Sequence, residues 1–262
     1  VDMVCYDRRS GPETRARLGQ ALQGELVIDA HTHMGLGEHY YVPGPEAEGL
    51  VATQDRYGIA RACTFAFAGV SSDYRYGNDL VAEAVARFPD RFIGYTTLNA
   101  NYVEDLIPEL ERCTARGLRG VKLITAYQGH PEETPRFNPV YEWCQERRKI
   151  ILSHQWGAPS FLAETARRYP GICFVIGHLN LAYAEVVRRQ DNVYTTTTFV
   201  PWPGAIVQAA AAFGAGKILF GSDMPDLDPS LNLGPLLTAR IDDEDRRAIL
   251  GRNMARILQE QG

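Results

Sequence analysis

Leu26-Val27-Ile28-Asp29-Ala30-His31-Thr32-His33 decides how this chain is read. It opens on apolar, partly β-branched side chains, which favour an extended strand. It ends on polar groups that a buried strand would not carry without a reason. Working outward, seven further short apolar runs follow it: Ala62 to Phe67, Phe92 to Leu98, Gly120 to Ile124, Ile150 to His154, Cys173 to His178, Val193 to Thr198 and Ile218 to Asp223. Near-continuous apolar runs, rather than alternating ones, mark strands covered on both faces of a parallel sheet.

The run starts, at 26, 62, 92, 120, 150, 173, 193 and 218, leave room for one helix after each strand. Asn78 to Phe88 puts Leu80, Val81, Ala84, Val85 and Phe88 on one side, and Pro89 ends it. Tyr102 to Arg116 and Pro139 to Arg148 behave alike. Pro159 opens a helix that Pro170-Gly171 closes, and Asp242 to Glu260 reads as a last helix capped by Asp242 or Asp243. Eight strand–helix units predict an α/β fold, a single (β/α)8 TIM barrel. A doubly wound sheet is the alternative, but no G-x-G-x-x-G follows the first strand. No Gly/Ser-rich linker divides the chain, so the barrel is assigned to 25–262 and an N-terminal extension to 1–24. Glu13 to Leu22 is read as a helix capping the barrel's bottom.

Composition narrows the function. The 262 residues are 45% apolar and 23% charged, values of a globular chain. The net charge of −5 and the lack of a Lys/Arg block argue against nucleic acid. The longest apolar run, Ala209 to Phe220, is broken by Gly214, Gly216 and Lys217, so no membrane span is expected. Five scattered cysteines without a C-x-x-C pair argue for reduced thiols and against a thiolate zinc site. With no signal-peptide apolar region in Val1 to Arg17, a cytoplasmic enzyme acting on a small molecule is expected.

Barrel enzymes work at the C-terminal ends of their strands. Here those ends carry His31 and His33, Lys122, His154, His178 and Asp223. Alternate strand residues face the same way, which sets His31 and His33 side by side with Asp29 one step deeper. With His154 and Asp223 they form an N/O ligand set for Zn²⁺ or another first-row divalent ion. Rim loops are aromatic, with Tyr40, Tyr41, Trp156, Phe199 and Trp202. Tyr40, Trp156 and Trp202 are expected to line a pocket for a ring-bearing substrate. The alternative is that such rings pack together or form a homo-oligomer interface. His130, Arg75 and Arg136 are candidates for holding a substrate carboxylate. No G-x-S-x-G elbow is present, which disfavours covalent catalysis.

Val27 to His33, the strand-end His154 and His178, Gly221-Ser222-Asp223-Met224-Pro225 and the closing stretch Ile249 to Leu258 together resemble the amidohydrolase superfamily, most closely its amidohydrolase-related (amidohydrolase 2) proteins. The resemblance spans about residues 26–258. It implies His31, His33, His154 and Asp223 as metal ligands, Asp223 also as general base, and His178 as the residue that orients water or polarises substrate or serves a second site. One ion is expected rather than two, zinc first, with manganese as an alternative. Binuclear relatives carry a carboxylated lysine where Lys122 stands. A positioned cation acting in catalysis, or a structural ion pair with Asp223, is the favoured reading of Lys122, and a bridging carbamate the other. The family holds hydrolases, lactonases and non-oxidative decarboxylases of the aminocarboxymuconate semialdehyde type. Decarboxylase-like members follow the strand-6 histidine with a glycine pair, whereas this chain has Leu179-Asn180 and lacks long covering insertions. The expectation is therefore a metal-dependent hydrolase of an amide, ester or lactone bond, with decarboxylation as the alternative and a non-catalytic binding barrel last.

Overall fold

The computed structural model describes residues 22, 24–36, 41–200 and 204–261. Eight parallel strands stand in chain order in one sheet: β1 (Ile28–Met34), β2 (Arg61–Ala66), β3 (Phe92–Thr97), β4 (Gly120–Leu123), β5 (Ile150–Ser153), β6 (Cys173–Ile176), β7 (Val193–Thr196) and β8 (Ile218–Leu219). Beyond β8 the chain runs on beside β1. Ala30 N–H donates to Phe220 O at 2.8 Å, Asp223 N–H to His31 O at 2.9 Å and His33 N–H to Met224 O at 2.7 Å. These bonds close the ring, and they put Asp223 against the two histidines.

Helices alternate with the strands: α1 (Ala47–Tyr57), α2 (Phe67–Ser71), α3 (Tyr74–Arg87), α4 (Leu106–Ala115), α5 (Asn138–Glu146), α6 (Pro159–Arg168), α7 (Ala184–Arg189), α8 (Ala205–Phe213), α9 (Ser230–Thr238), α10 (Asp243–Arg247) and α11 (Asn253–Glu260). Pro159 occupies the first turn of α6, as expected. The Asp242 side chain accepts from Asp245 N–H at 2.8 Å and starts the last helical stretch. That stretch is not one helix: a π-helical turn, Ala248–Arg252, separates α10 from α11. The capping helix read over Glu13 to Leu22 lies outside the described residues, apart from Leu22, which is buried.

Two apolar layers hold the barrel. One fills its interior, with Phe65, Ile93, Tyr95, Leu152, Val175 and Leu219, and is closed by Met254, Ile257 and Leu258 of α11. The other lies between strands and helices and includes Leu50, Val81, Leu110, Val140, Leu162 and Phe174. Alternation along each strand divides residues between the layers, and Lys122, between Val121 and Leu123 of the outer layer, is thereby turned inward.

β1 departs from simple alternation. Asp29 pairs with Ala62 but Thr32 pairs with Thr64, so β1 spends one residue more than β2 over this interval, a bulge. Ile28 and Ala30 point into the barrel below it, and His31 and His33 join the inward face above it. The expected placement of Asp29 one step below His31 on a common face is corrected accordingly. Its Oδ1 instead accepts from the backbone N–H groups of His31 at 3.1 Å and Ser222 at 3.0 Å, pinning β1 to the chain after β8.

Candidate metal centre

His31 is held from behind. Its Nδ1 lies 2.8 Å from Gly177 O, and a carbonyl can only accept, so Nδ1 carries the proton and Nε2 presents a lone pair. Thr196 Oγ1 donates to the same carbonyl at 2.6 Å. Side chains at Gly177 or Gly221 would press on this imidazole, with an added β carbon 3.1 Å from His31 Cε1 or Cβ. His33 is wedged between rings, stacked on Phe67 at 4.3 Å and edge-on to Phe65 at 4.4 Å.

Asp223 completes the cluster. Its Oδ1 is 2.9 Å from His33 Nε2 and 3.4 Å from His31 Nε2. One donor atom from each of the three residues falls within 4.8 Å of the others, and all three residues are buried. Asp223 has φ of 65°, a left-handed conformation that costs a non-glycine residue of order 1–3 kcal/mol and persists only where the surroundings impose it. Burial opposes its charge; His31 and His33, when protonated, and the hydrogen bond from His33 act the other way and hold the carboxyl below the ordinary carboxylate range. Burial, reinforced by Lys122, pushes His31 well below its usual value, so its imidazole is neutral.

This donor set fits a divalent cation. His31 Nε2 and Asp223 Oδ1 are electron-pair donors 3.4 Å apart, an arrangement that nearby positive charge stabilises; Lys122 Nζ, 3.3 Å from Nε2, is one such charge and a bound cation would be another. His33 Nδ1 is buried with no hydrogen-bond partner among the described residues. Nitrogen and oxygen donors of this kind suit a first-row divalent ion.

The other predicted site residues are placed around this cluster in different ways. His154 is not among the three clustered ligands. Its Nδ1 lies 3.0 Å from His178 Nε2, and the His178 ring stands 5.4 Å from that of His31. Burial lowers His154 to about 3 and His178 to about 4, so both are neutral near pH 7. Lys122 is fully buried, with Nζ 3.3 Å from His31 Nε2 and 4.3 Å from the Phe65 ring centre. Burial pushes it down to about 7, against the pull of Asp223.

Trp156 stands apart from the site. It is 1% exposed, its Nε1 donates to Val175 O at 3.0 Å, and its ring packs on Phe174 in the outer layer. The chain turns after β5, so the alternation that faces His154 inward does not carry on to Trp156. His130 bonds Asn101 Oδ1 at 2.9 Å, Arg75 pairs with Asp105 at 2.9 Å and Arg136 donates to Ala100 O at 3.3 Å. Tyr40 and Trp202 lie outside the described residues. A cleft of about 420 Å³ between the start of α1 and α3, lined by Met34, Tyr76, Leu80 and Arg87 among others, contains none of the strand-end histidines. Sequence reasoning missed Tyr127, on the loop after β4, whose ring lies 6.1 Å from that of His154. The strand-end rule that picked out the histidines applies to that loop as well.

Barrel topology and a buried His–His–Asp cluster at the strand ends define a class of metal-dependent TIM-barrel enzymes. The chain belongs to the amidohydrolase family, whose profile (Amidohydrolase) matches residues 28–259. A 2-amino-3-carboxymuconate-6-semialdehyde decarboxylase of Dictyostelium discoideum is 32% identical over 83 residues, a match covering 31% of this chain and 23% of that protein's length. Among solved structures, a 2,6-dihydroxybenzoate decarboxylase from Rhizobium superposes with a TM-score of 0.74 at 17% identity, over 92% of this chain and 100% of that one. A dihydroxybenzoic acid decarboxylase from Polaromonas sp. JS666, with bound manganese and the inhibitor 2-nitroresorcinol, superposes with a TM-score of 0.71 at 17% identity, over 90% and 97%. At these identities the two structures speak for the fold.

No helix of the described residues is long and apolar enough to cross a membrane. Leu179-Asn180, read as a departure from the decarboxylase pattern, has local work: Leu179 is buried and Asn180 Oδ1 accepts from Ala182 N–H at 2.9 Å.

Proposed function

We propose that this protein is a metal-dependent decarboxylase of a small, ring-bearing or conjugated carboxylic acid. The observation that carries the proposal is the buried His31–His33–Asp223 donor set beside the neutral His154–His178 pair, in a chain similar to decarboxylases. That similarity favours the decarboxylase alternative over the hydrolase expected first.

His31, His33 and Asp223 would hold the ion, with His154 close behind His178. When bound, a manganese or zinc ion would supply positive charge that favours binding of an anionic acid. His178, braced by His154, hydrogen-bonds the acid and orients it. Phe65 and Phe67 keep water from the His33 side. In a hydroxy-substituted acid, Asp223 takes the proton of the substrate hydroxyl and returns it to the carbon that bears the carboxylate. The carbon–carbon bond to the carboxylate breaks, its electron pair stays on that carbon and takes the proton, and CO₂ leaves.

The test is to incubate manganese-loaded protein with 2,6-dihydroxybenzoate, 2-amino-3-carboxymuconate-6-semialdehyde and a panel of lactones, measuring CO₂ and ring-opened acid. CO₂ release without ring-opened acid is expected. Lactone opening with no CO₂ from either acid would return the site to hydrolysis.

A further inference from the structure

Tyr127 is a large aromatic residue left 62% exposed on a loop that is otherwise firmly built. It sits in a single 3-10 turn, Ala126–Gln128, just beyond the end of β4. Gln128 ties that turn to the loop after β3: its Oε1 accepts from Ala100 N–H at 2.7 Å and its Nε2 donates to Leu98 O at 2.7 Å. Asn101 Nδ2 donates to Gln128 O at 3.1 Å, and the Asn101 side chain also meets His130 Nε2 at 2.9 Å. Gly129, at φ 76°, lets the chain double back, and His130 N–H closes onto Thr125 O at 3.2 Å.

An anchored loop could turn its aromatic ring into the apolar layer. This one instead holds the ring in the open, beside the site. The rings of Tyr127 and His154 are 6.1 Å apart, those of His154 and His178 4.4 Å, and those of His178 and His31 5.4 Å. A series of rings thus leads from the surface to the donor set. Aromatic faces prefer offset stacking or edge contacts with other rings, and they discriminate planar from flexible ligands.

We propose that Tyr127 is a specificity-determining residue, its exposed ring being the face against which the planar ring of the substrate acid packs. This rests on the proposed reading of the same mouth as an acid-binding site. Tyr127 contacts no ligand atom of the cluster, so its removal should leave the metal centre intact.

Binding separates this proposal from that reading. Manganese-loaded wild-type, Tyr127→Ala and Tyr127→Phe proteins would be titrated calorimetrically with 2,6-dihydroxybenzoate and 2-nitroresorcinol, with succinate as a ring-free acid. Tyr127→Ala should weaken both ring compounds about ten-fold, leave succinate unchanged and keep wild-type metal content, while Tyr127→Phe should stay within about two-fold. In turnover the loss should fall on KM and not on kcat. Unchanged affinity in Tyr127→Ala, an equal loss for succinate, or no binding of either ring compound by the wild type would overturn the proposal. Ring binding that depends on Tyr127 but yields no CO₂ would support the proposal and refute decarboxylation.

Discussion

Asp223 Oδ1 is the atom on which both first-strand histidines converge, so charge at that one oxygen governs the site. Asp223→Asn keeps the shape and removes the charge and the basic oxygen; CO₂ turnover should fall at least about 100-fold, with the melting temperature of the metal-stripped protein little changed. Turnover within a few-fold of wild type would remove Asp223 from the proton's path. The neutral histidines set a pH dependence. Their ordinary value is 6.5, and burial lowers His154 to about 3 and His178 to about 4. The unfolded chain takes up protons below about 6.5 and the folded one resists. Their contribution to stability is therefore complete above that pH and is lost as the pH falls toward 4 and then 3. In metal-stripped protein the melting temperature should drop between about pH 7 and about pH 4.5 more steeply in wild type than in the His154→Gln/His178→Gln double variant. Equal slopes would contradict burial as the cause. At this scale His31, His33 and Asp223 were legible because strand ends are where a barrel exposes polar groups. Trp156 was misplaced because its orientation depends on a turn after β5 that no spacing reveals.

At the scale of elements, β8 is short and depends on its neighbours. Asn253, at the start of α11, donates from Nδ2 to Ala215 O at 2.9 Å and Ile218 O at 2.8 Å, clamping the entry to β8 from a buried position. Asn253→Ala strands both carbonyls and should cost about 1–3 kcal/mol, read as a lowered urea midpoint with metal content retained. An unchanged midpoint would show that β8 is held by its ladder alone. Strand positions were readable because each is a near-continuous apolar run, and six of the eight begin at the residue where the run begins. The β1 bulge was not, because it arises from pairing with β2 rather than from residue type. The helices α1, α2, α7, α8 and α9 were not delimited either. α8 is apolar nearly all round and shows no amphipathic period, while α2 and α7 span under two turns.

The whole molecule is a ring of eight units closed through the segment that carries Asp223, so site and fold are mechanically one. Chelation should accordingly lower the melting temperature and added manganese restore it, because an ion that binds only the folded ring stabilises it by mass action. Identical melting curves with and without ion would separate the cluster from the fold. Barrel class, chain direction and the address of the site were legible from the recurrence of strands and the polar groups at their ends. The choice between hydrolysis and decarboxylation was not, since both use the same donor set.

The most direct measurement is calorimetric titration of Mn²⁺ and Zn²⁺ into chelator-stripped wild-type, His31→Ala and Asp223→Asn proteins. Binding of about one ion per wild-type chain is expected, abolished in His31→Ala and strongly weakened in Asp223→Asn. No binding by the wild type, or equal binding by all three, would contradict a metal centre at His31, His33 and Asp223.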